Sequence, residues 1–276
     1  MAGVAYNTNG FAHHRLEDAL AILADAGYDA VAITPDVHHL DPLRATAAEV
    51  ASVDATCRRL GLSVIVETGA RFVLDPARKH RPTLLDEPPG AARRLDFLCR
   101  CADLGHALGA RVLSTWSGAL PEGLAPQQAW ERLVQGLRAL CDHAQRRGMV
   151  VGFEPEPGML VERAADWPRL RDAVGHPALR LALDVGHCLA MREGQPDRWV
   201  RAHATDLCVL QVDDHREGVH DHLMLGEGQV DFHALARALA DTGWRGPLEV
   251  ELSRHSATAP ATARACRAFL RQHLAR

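Results

Sequence analysis

The stretch Leu181-Ala182-Leu183-Asp184-Val185-Gly186-His187 places a carboxylate at the end of a short apolar run and an imidazole three residues later. A buried parallel strand delivers polar groups to a site at its C-terminal end in this way. The same residues also read as a helix start, with Asp184 as N-cap and His187 on the surface. The stretch leaves both readings open, and the rest of the chain supplies the context.

Outward from it, short β-like runs alternate with segments of helical period. The predicted strands are residues 4–6, 30–34, 63–67, 111–115, 150–154, 180–184, 208–212 and 248–251. The predicted helices are 16–26, 46–60, 90–108, 125–147, 163–174, 197–204, 231–242 and 260–274. Thr46-Ala-Ala-Glu49 has the spacing of a capping box, and Gly27, Gly61, Gly109 and Gly243 stand where a helix ends before the next strand. Such units of about thirty residues predict an α/β fold, a (β/α)8 TIM barrel, as one domain over residues 1–276. An open doubly wound sheet is the alternative, but no Gly-x-Gly-x-x-Gly turn follows the first strand.

The chain has 276 residues, of which 47% are hydrophobic and 24% charged, with net charge −4 and a sequence pI near 6.5. That balance gives no global reason to bind nucleic acid or an anionic membrane. No apolar run approaches a membrane span, and no basic-then-apolar leader opens the chain, so the expectation is a soluble cytoplasmic protein. The 7 cysteines lack CxxC spacing and read as reduced thiols. Two connections are long, residues 68–89 and 213–230, and both follow strands, as functional loops on the C-terminal face of a barrel do. The run Arg78-Lys79-His80-Arg81 reads either as a substrate wall or as a solvated charge run. Trp116, at a strand end, would stack on a ring of a bound molecule or plug the barrel mouth, the plug being preferred.

The later strands end alike: Glu154, Asp184, Gln211 and Glu251 bring oxygen donors to one rim. Converging anions repel and are costly to desolvate, and a divalent cation removes that conflict. Three carboxylates and an amide oxygen make a hard donor set that favours Mn²⁺ or Mg²⁺, with Co²⁺ and Zn²⁺ as further candidates. Glu156, Asp213 and Glu249 read instead as helix caps or surface charges.

The series Glu154-Pro155, Asp184-Val-Gly-His187, Gln211-Val-x-Asp214, Gly226-Glu-Gly228-x-Val-Asp231-Phe232 and Gly243-Trp-x-Gly-Pro-Leu-Glu-Val-Glu251 resembles the xylose-isomerase-like TIM-barrel superfamily. That group includes sugar isomerases, ketose 3-epimerases, hydroxypyruvate isomerases, inosose and dehydroshikimate dehydratases, and apurinic endonucleases. The resemblance is strongest from Val150 to Glu251; earlier, only the β/α rhythm and Asn7-Thr8-Asn9-Gly10 carry it. It implies Glu154, Asp184, Gln211 and Glu251 as metal ligands, and His187, Arg216 and His222 as substrate contacts. Ketose epimerases place a histidine where this chain has Gln211, whereas hydroxypyruvate isomerases and dehydroshikimate dehydratases place glutamine.

The implied activity is a metal-dependent isomerase or epimerase acting on a ketose, keto-sugar or related polyhydroxy carbonyl compound through an enediolate. Glu154 and Glu251 would be its base and acid. A dehydratase of the dehydroshikimate or inosose type is the alternative, favoured by Gln211 and by the basic loop. An endonuclease-like phosphodiesterase ranks low, since the third and fourth strands end without histidine and no basic stripe is present. Many members of the group pair through their barrels, which leaves a homo-oligomer open.

Overall fold

A computed structural model describes residues 3–274. Eight parallel strands close in sequence order: β1 Val4–Asn7, β2 Ala30–Ile33, β3 Ser63–Glu67, β4 Val112–Thr115, β5 Val150–Phe153, β6 Leu179–Asp184, β7 Leu207–Val212 and β8 Leu248–Val250, with β8 returning to β1. The helices are α1 Leu16–Asp25, α2 Ala47–Leu60, α3 Pro88–Ala107, α4 Pro126–Gln145, α5 Trp167–Val174, α6 Val185–Ala190, α7 Asp197–His203, α8 Phe232–Thr242 and α9 Ala259–His273. This is the (β/α)8 barrel that the periodicity predicts.

The Thr46 capping box forms with both its bonds, and Gly61 takes the left-handed conformation (φ 71°) that closes α2. The segment predicted as one helix over 163–174 divides into a 3₁₀ turn, Ala164–Asp166, and α5, which has proline in its first turn. The short α6 has no apolar period long enough to announce itself. All seven cysteines are free thiols.

The strand pleat sorts side chains into two layers. Alternate residues such as Tyr6, Ile33, Val66, Leu113, Phe153, Leu183, Leu210 and Val250 pack in the main core with the helices. Their neighbours Ala5, Ala30, Ala32, Ile65, Ala182 and Val209 form a separate cluster inside the barrel, with Val112 against it. The small residues allow close approach: a Cβ at Gly152 would meet Cys208 Sγ at 2.9 Å and Ala182 Cβ at 3.3 Å.

Two residues further along each strand, the inward position turns polar: Asn7, Thr34, Glu67, Ser114, Glu154, Asp184, Gln211 and Glu251. Register aligns them, since Asp184 pairs laterally with Gln211, and Gln211 with Glu249. The barrel is therefore filled below and chemically furnished above. Among the described residues no helix is long and apolar enough to cross a membrane.

Candidate active site and metal centre

The polar layer floors a cavity of about 540 Å³ at the C-terminal mouth, lined among others by Glu67, Glu154, Glu156, Glu251, His220 and His222. Carboxylate oxygens of Glu154, Asp184 and Glu251 lie within 4.8 Å of one another. Gln211 joins them: its Nε2 donates to Glu251 Oε2 at 3.2 Å, which leaves its Oε1 buried without a hydrogen-bond partner.

Asp184 divides its carboxylate between two tasks. Oδ1 caps α6 by accepting from the amides of Gly186 (2.7 Å) and His187 (3.0 Å), while Oδ2 is buried and unpartnered. Both readings of the opening stretch thus hold for Asp184. His187, however, is buried, with Nδ1 3.6 Å from Glu154 Oε1 and Nε2 3.7 Å from Glu156 Oε2.

Burial pushes the carboxyls of Glu154 and Asp184 well above the usual range, and the neighbouring acids push them further; burial raises Glu251 too, against the opposing pull of His222. Buried anions crowded together with orphaned oxygens are what a bound cation relieves. The donor set is all oxygen and so fits a hard divalent ion.

Beside it stands a second group of donors. Ring nitrogens of His187, His215, His220 and His222 lie within 4.8 Å of one another. Asp213, completely buried, ties two of the rings: Oδ2 is 2.6 Å from His222 Nδ1 and Oδ1 is 3.2 Å from His215 Nδ1. Burial alone would lower the His222 pKa, but the bond to Asp213 outweighs it and raises it. Burial and the neighbouring imidazoles keep His187 and His220 neutral, the latter at about 4.

Three acids read from the sequence as caps or surface charges take other roles. Asp213 is this clamp. Glu249 is fully buried and accepts from Asn7 Nδ2 at 2.9 Å. Glu156 lines the cavity, and burial, with Glu251 adding, raises it to about 8. Taken singly, each of these acids reads as a cap or a surface charge. The inward parity that picks out Glu154 also picks out Glu156, and that of Gln211 picks out Asp213.

Arg216 does not join the cavity. Its side chain is 60% exposed and holds Asp221 at 2.9 Å. The cavity cations are Arg71, Lys79 and Arg254. The loop run 78–81 divides accordingly: Arg78 pairs with Asp75 and Arg81 with Asp86, while Lys79 and His80 face the cavity. Trp116 is nearly buried at the cavity wall, with His80 edge-on at 5.2 Å and the Arg94 guanidinium over its ring at 4.5 Å. Asn9, whose Nδ2 donates to Glu251 Oε1 at 2.8 Å, is a further contact that strand-end reasoning does not reach.

The sequence matches the xylose isomerase-like TIM barrel family over residues 20–273, and the chain belongs to that family. Two curated relatives are dehydratases. One is a 3-dehydroshikimate dehydratase of Pseudomonas putida, 28% identical over 247 residues, covering 86% of this chain and 36% of the relative. The other is an inosose dehydratase of Erwinia tasmaniensis, 28% identical over 213 residues, covering 66% and 71%. The chain therefore spans about a third of the length of the first. Among solved structures, an L-ribulose 3-epimerase superposes with a TM-score of 0.81 at 22% identity, over 100% of this chain and 95% of the other.

Proposed function

We propose that this chain is a divalent-metal-dependent isomerase or epimerase that moves a proton on a ketose or related hydroxy-carbonyl compound by way of an enediolate. The observation that carries the reading is the convergence of Glu154, Asp184 and Glu251 with the orphaned oxygens Asp184 Oδ2 and Gln211 Oε1. These four residues would hold the ion, Mn²⁺ or Mg²⁺ by hardness. A divalent ion there supplies Lewis-acid polarisation of a carbonyl and acidifies the adjacent C–H.

The chain supplies the proton movement. Glu154 and Glu251 act as base and acid; Asn9 and Gln211 fix the orientation of Glu251. His187, neutral and buried behind the cavity lining, keeps Nε2 without a hydrogen-bond partner for a substrate oxygen, and His222 lines the cavity itself. Arg216 has no part in this arrangement.

A dehydratase is the second reading, supported by one specific observation. Glu156 lies on the cavity wall, where burial raises its carboxyl and where it can protonate a departing hydroxyl. The named relatives favour the same chemistry.

The test is elemental analysis of purified protein, then metal titration with deuterium uptake from D₂O into a panel of ketoses and cyclic hydroxyketones. About one ion per chain with exchange at the carbon beside the carbonyl supports the isomerase. Loss of water from a substrate selects the dehydratase. Absence of exchange and elimination with the ion bound removes both.

A further inference from the structure

The loop between β3 and α3 is built to present positive charge. Gly69 is followed by Ala70 and Arg71 with φ of 58° and 26°, and His80 has φ 64°, so three non-glycine residues sit in left-handed backbone around one side of the cavity. Such conformations persist only where surrounding structure holds them. Here Arg71 Nη2 donates to Asn9 O at 2.7 Å, and His80 packs on Trp116 with its Nδ1 against Gly69 O. The loop anchors itself without using Lys79.

The charge on this wall is compensated only at a distance, by Glu156 and Glu251 of the cavity. Lys79 has no ion pair or hydrogen bond among the described residues although it lines the cavity. Arg71 has in addition a distant carboxylate, Asp36 at 3.8 Å. Behind Trp116, Arg94 is 1% exposed and has no carboxylate partner among the described residues; it donates to Thr68 O at 2.8 Å and leaves Nη1 buried and unpartnered. A guanidinium buried without a counter-charge is expensive, and it raises the potential of the wall it supports. Burial first, then Lys79, with Arg94 and Arg71 adding, lower the His80 pKa to about 4, so the ring is neutral and the cations act on the cavity.

The cavity is thus divided: carboxylates on the strand ends below, and cations on the loop above. We propose that the substrate carries an oxyanion, a carboxylate or a phosphate, remote from its reacting hydroxy-carbonyl, and that Lys79 and Arg71 receive it. This rests on the preceding reading of the floor as the place where the hydroxy-carbonyl lies. A substrate with its reacting end on the floor extends its other end towards the loop, where the Lys79 ammonium has no ion pair or hydrogen bond among the described residues and the Arg71 guanidinium, anchored on Asn9 O, is 3.8 Å from Asp36. Arg94 contacts neither end; it is a positioning residue that backs Trp116 and adds its field.

The experiment uses metal-loaded protein and the variants Lys79→Met and Arg71→Met, with Arg78→Met as control for an exposed, already paired cation of the same loop. Calorimetric titration with inorganic phosphate, and separately with cyclohexanecarboxylate, should give saturable binding of one of the two. That anion identifies the source of the charge. Its affinity should fall about tenfold or more in Lys79→Met and Arg71→Met, the size of one lost charge-assisted contact, and hold in Arg78→Met. Proton exchange should then favour the anionic member of a matched pair, a ketose with and without terminal phosphate or a ring hydroxyketone with and without carboxylate. In Lys79→Met that preference should vanish through a rise in KM for the anionic member. No binding of either anion, or binding indifferent to both variants, overturns the proposal. Exchange that does not distinguish neutral from anionic members overturns it too, while leaving the enediolate reading standing. Binding that depends on Lys79 and Arg71 with no exchange on any compound keeps the oxyanion site and removes the enediolate reading.

Discussion

The floor and the rim of the cavity are made of opposite materials. The floor is fixed to strand ends whose backbone is paired on both sides and whose lower neighbours are close-packed alanine and glycine. It gathers acids. The rim is carried largely by two long loops and gathers imidazoles and cations. On the proposed reading, rigid geometry stands where a metal and a reacting carbon would have to be held to a fraction of an ångström, and adaptable loops stand where a substrate would be told from its analogues. Floor and rim should therefore respond separately to substitution.

The largest effect belongs to the floor. Glu251→Gln keeps the size of the side chain and its contacts with Asn9 and Gln211 within reach, but removes a proton carrier. Turnover should fall by about 10³-fold, within the span of general acid–base losses, while the melting temperature and much of the metal affinity remain. Activity at the level of the unchanged protein would remove Glu251 from the mechanism.

Floor and rim meet at Gly186, the second residue of α6. A methyl group there would run into His215 Nδ1 and Asp213 Oδ1, both completely buried side chains with little room to yield. Gly186→Ala should destabilise by about 1–3 kcal/mol, the range for overpacking a filled interior, and should disturb the imidazole cluster. Urea unfolding gives the first number. An unchanged midpoint would show that the junction is looser than the packing implies.

Within the rim, the bond to Asp213 outweighs burial and raises the His222 pKa above its ordinary value. A histidine with a folded pKa raised above its unfolded value stabilises fully below about pH 6.5, and the contribution is lost as pH rises through the folded pKa. Melting temperature should therefore decline from pH 6.5 upwards in the metal-free protein. Asp213→Asn should flatten that decline, and parallel slopes in the two proteins would sink the clamp.

The same division governs what the sequence reveals. Floor residues were legible because the pleat is periodic: once Ala182 faces inward, Asp184 must, and Val209 carries Gln211 with it. Applied to every strand, that parity also reaches Asn7, Glu67 and Glu249, which a reading of single acids at strand ends does not place on the floor. The rim has no such period. Nothing in Arg78-Lys79-His80-Arg81 tells which two cations are spent on Asp75 and Asp86, because the answer depends on left-handed turns that the letters do not encode. Arg216 misled for the same reason, since Asp221, on its own loop, captures it. Asp184 marks the boundary, with one oxygen following the helix-cap rule and the other serving the floor.

The smallest predicted effect isolates the rim from the barrel. Asp86 Oδ2 accepts from Thr83 N at 2.6 Å, Thr83 Oγ1 at 2.9 Å and Arg81 Nη1 at 3.1 Å, closing the end of the cationic loop. Partial burial tends to raise this carboxyl, but the Thr83 bonds, with Arg81 adding, outweigh it and hold the pKa below the ordinary value. A depressed carboxylate contributes stability above its unfolded pKa of about 3.9, and that contribution drains away as pH falls through the folded value. Amide hydrogen exchange over residues 78–88 should therefore accelerate below about pH 4 relative to the intrinsic rate, before the barrel strands respond. Asp86→Ala should open the same amides at neutral pH, by about 1 kcal/mol for the lost bonds, and leave strand amides protected. Uniform loss of protection across loop and strands would mean that rim and floor unfold as one unit. Loss confined to the loop would mean that the cationic wall can be loosened without moving the acids beneath it.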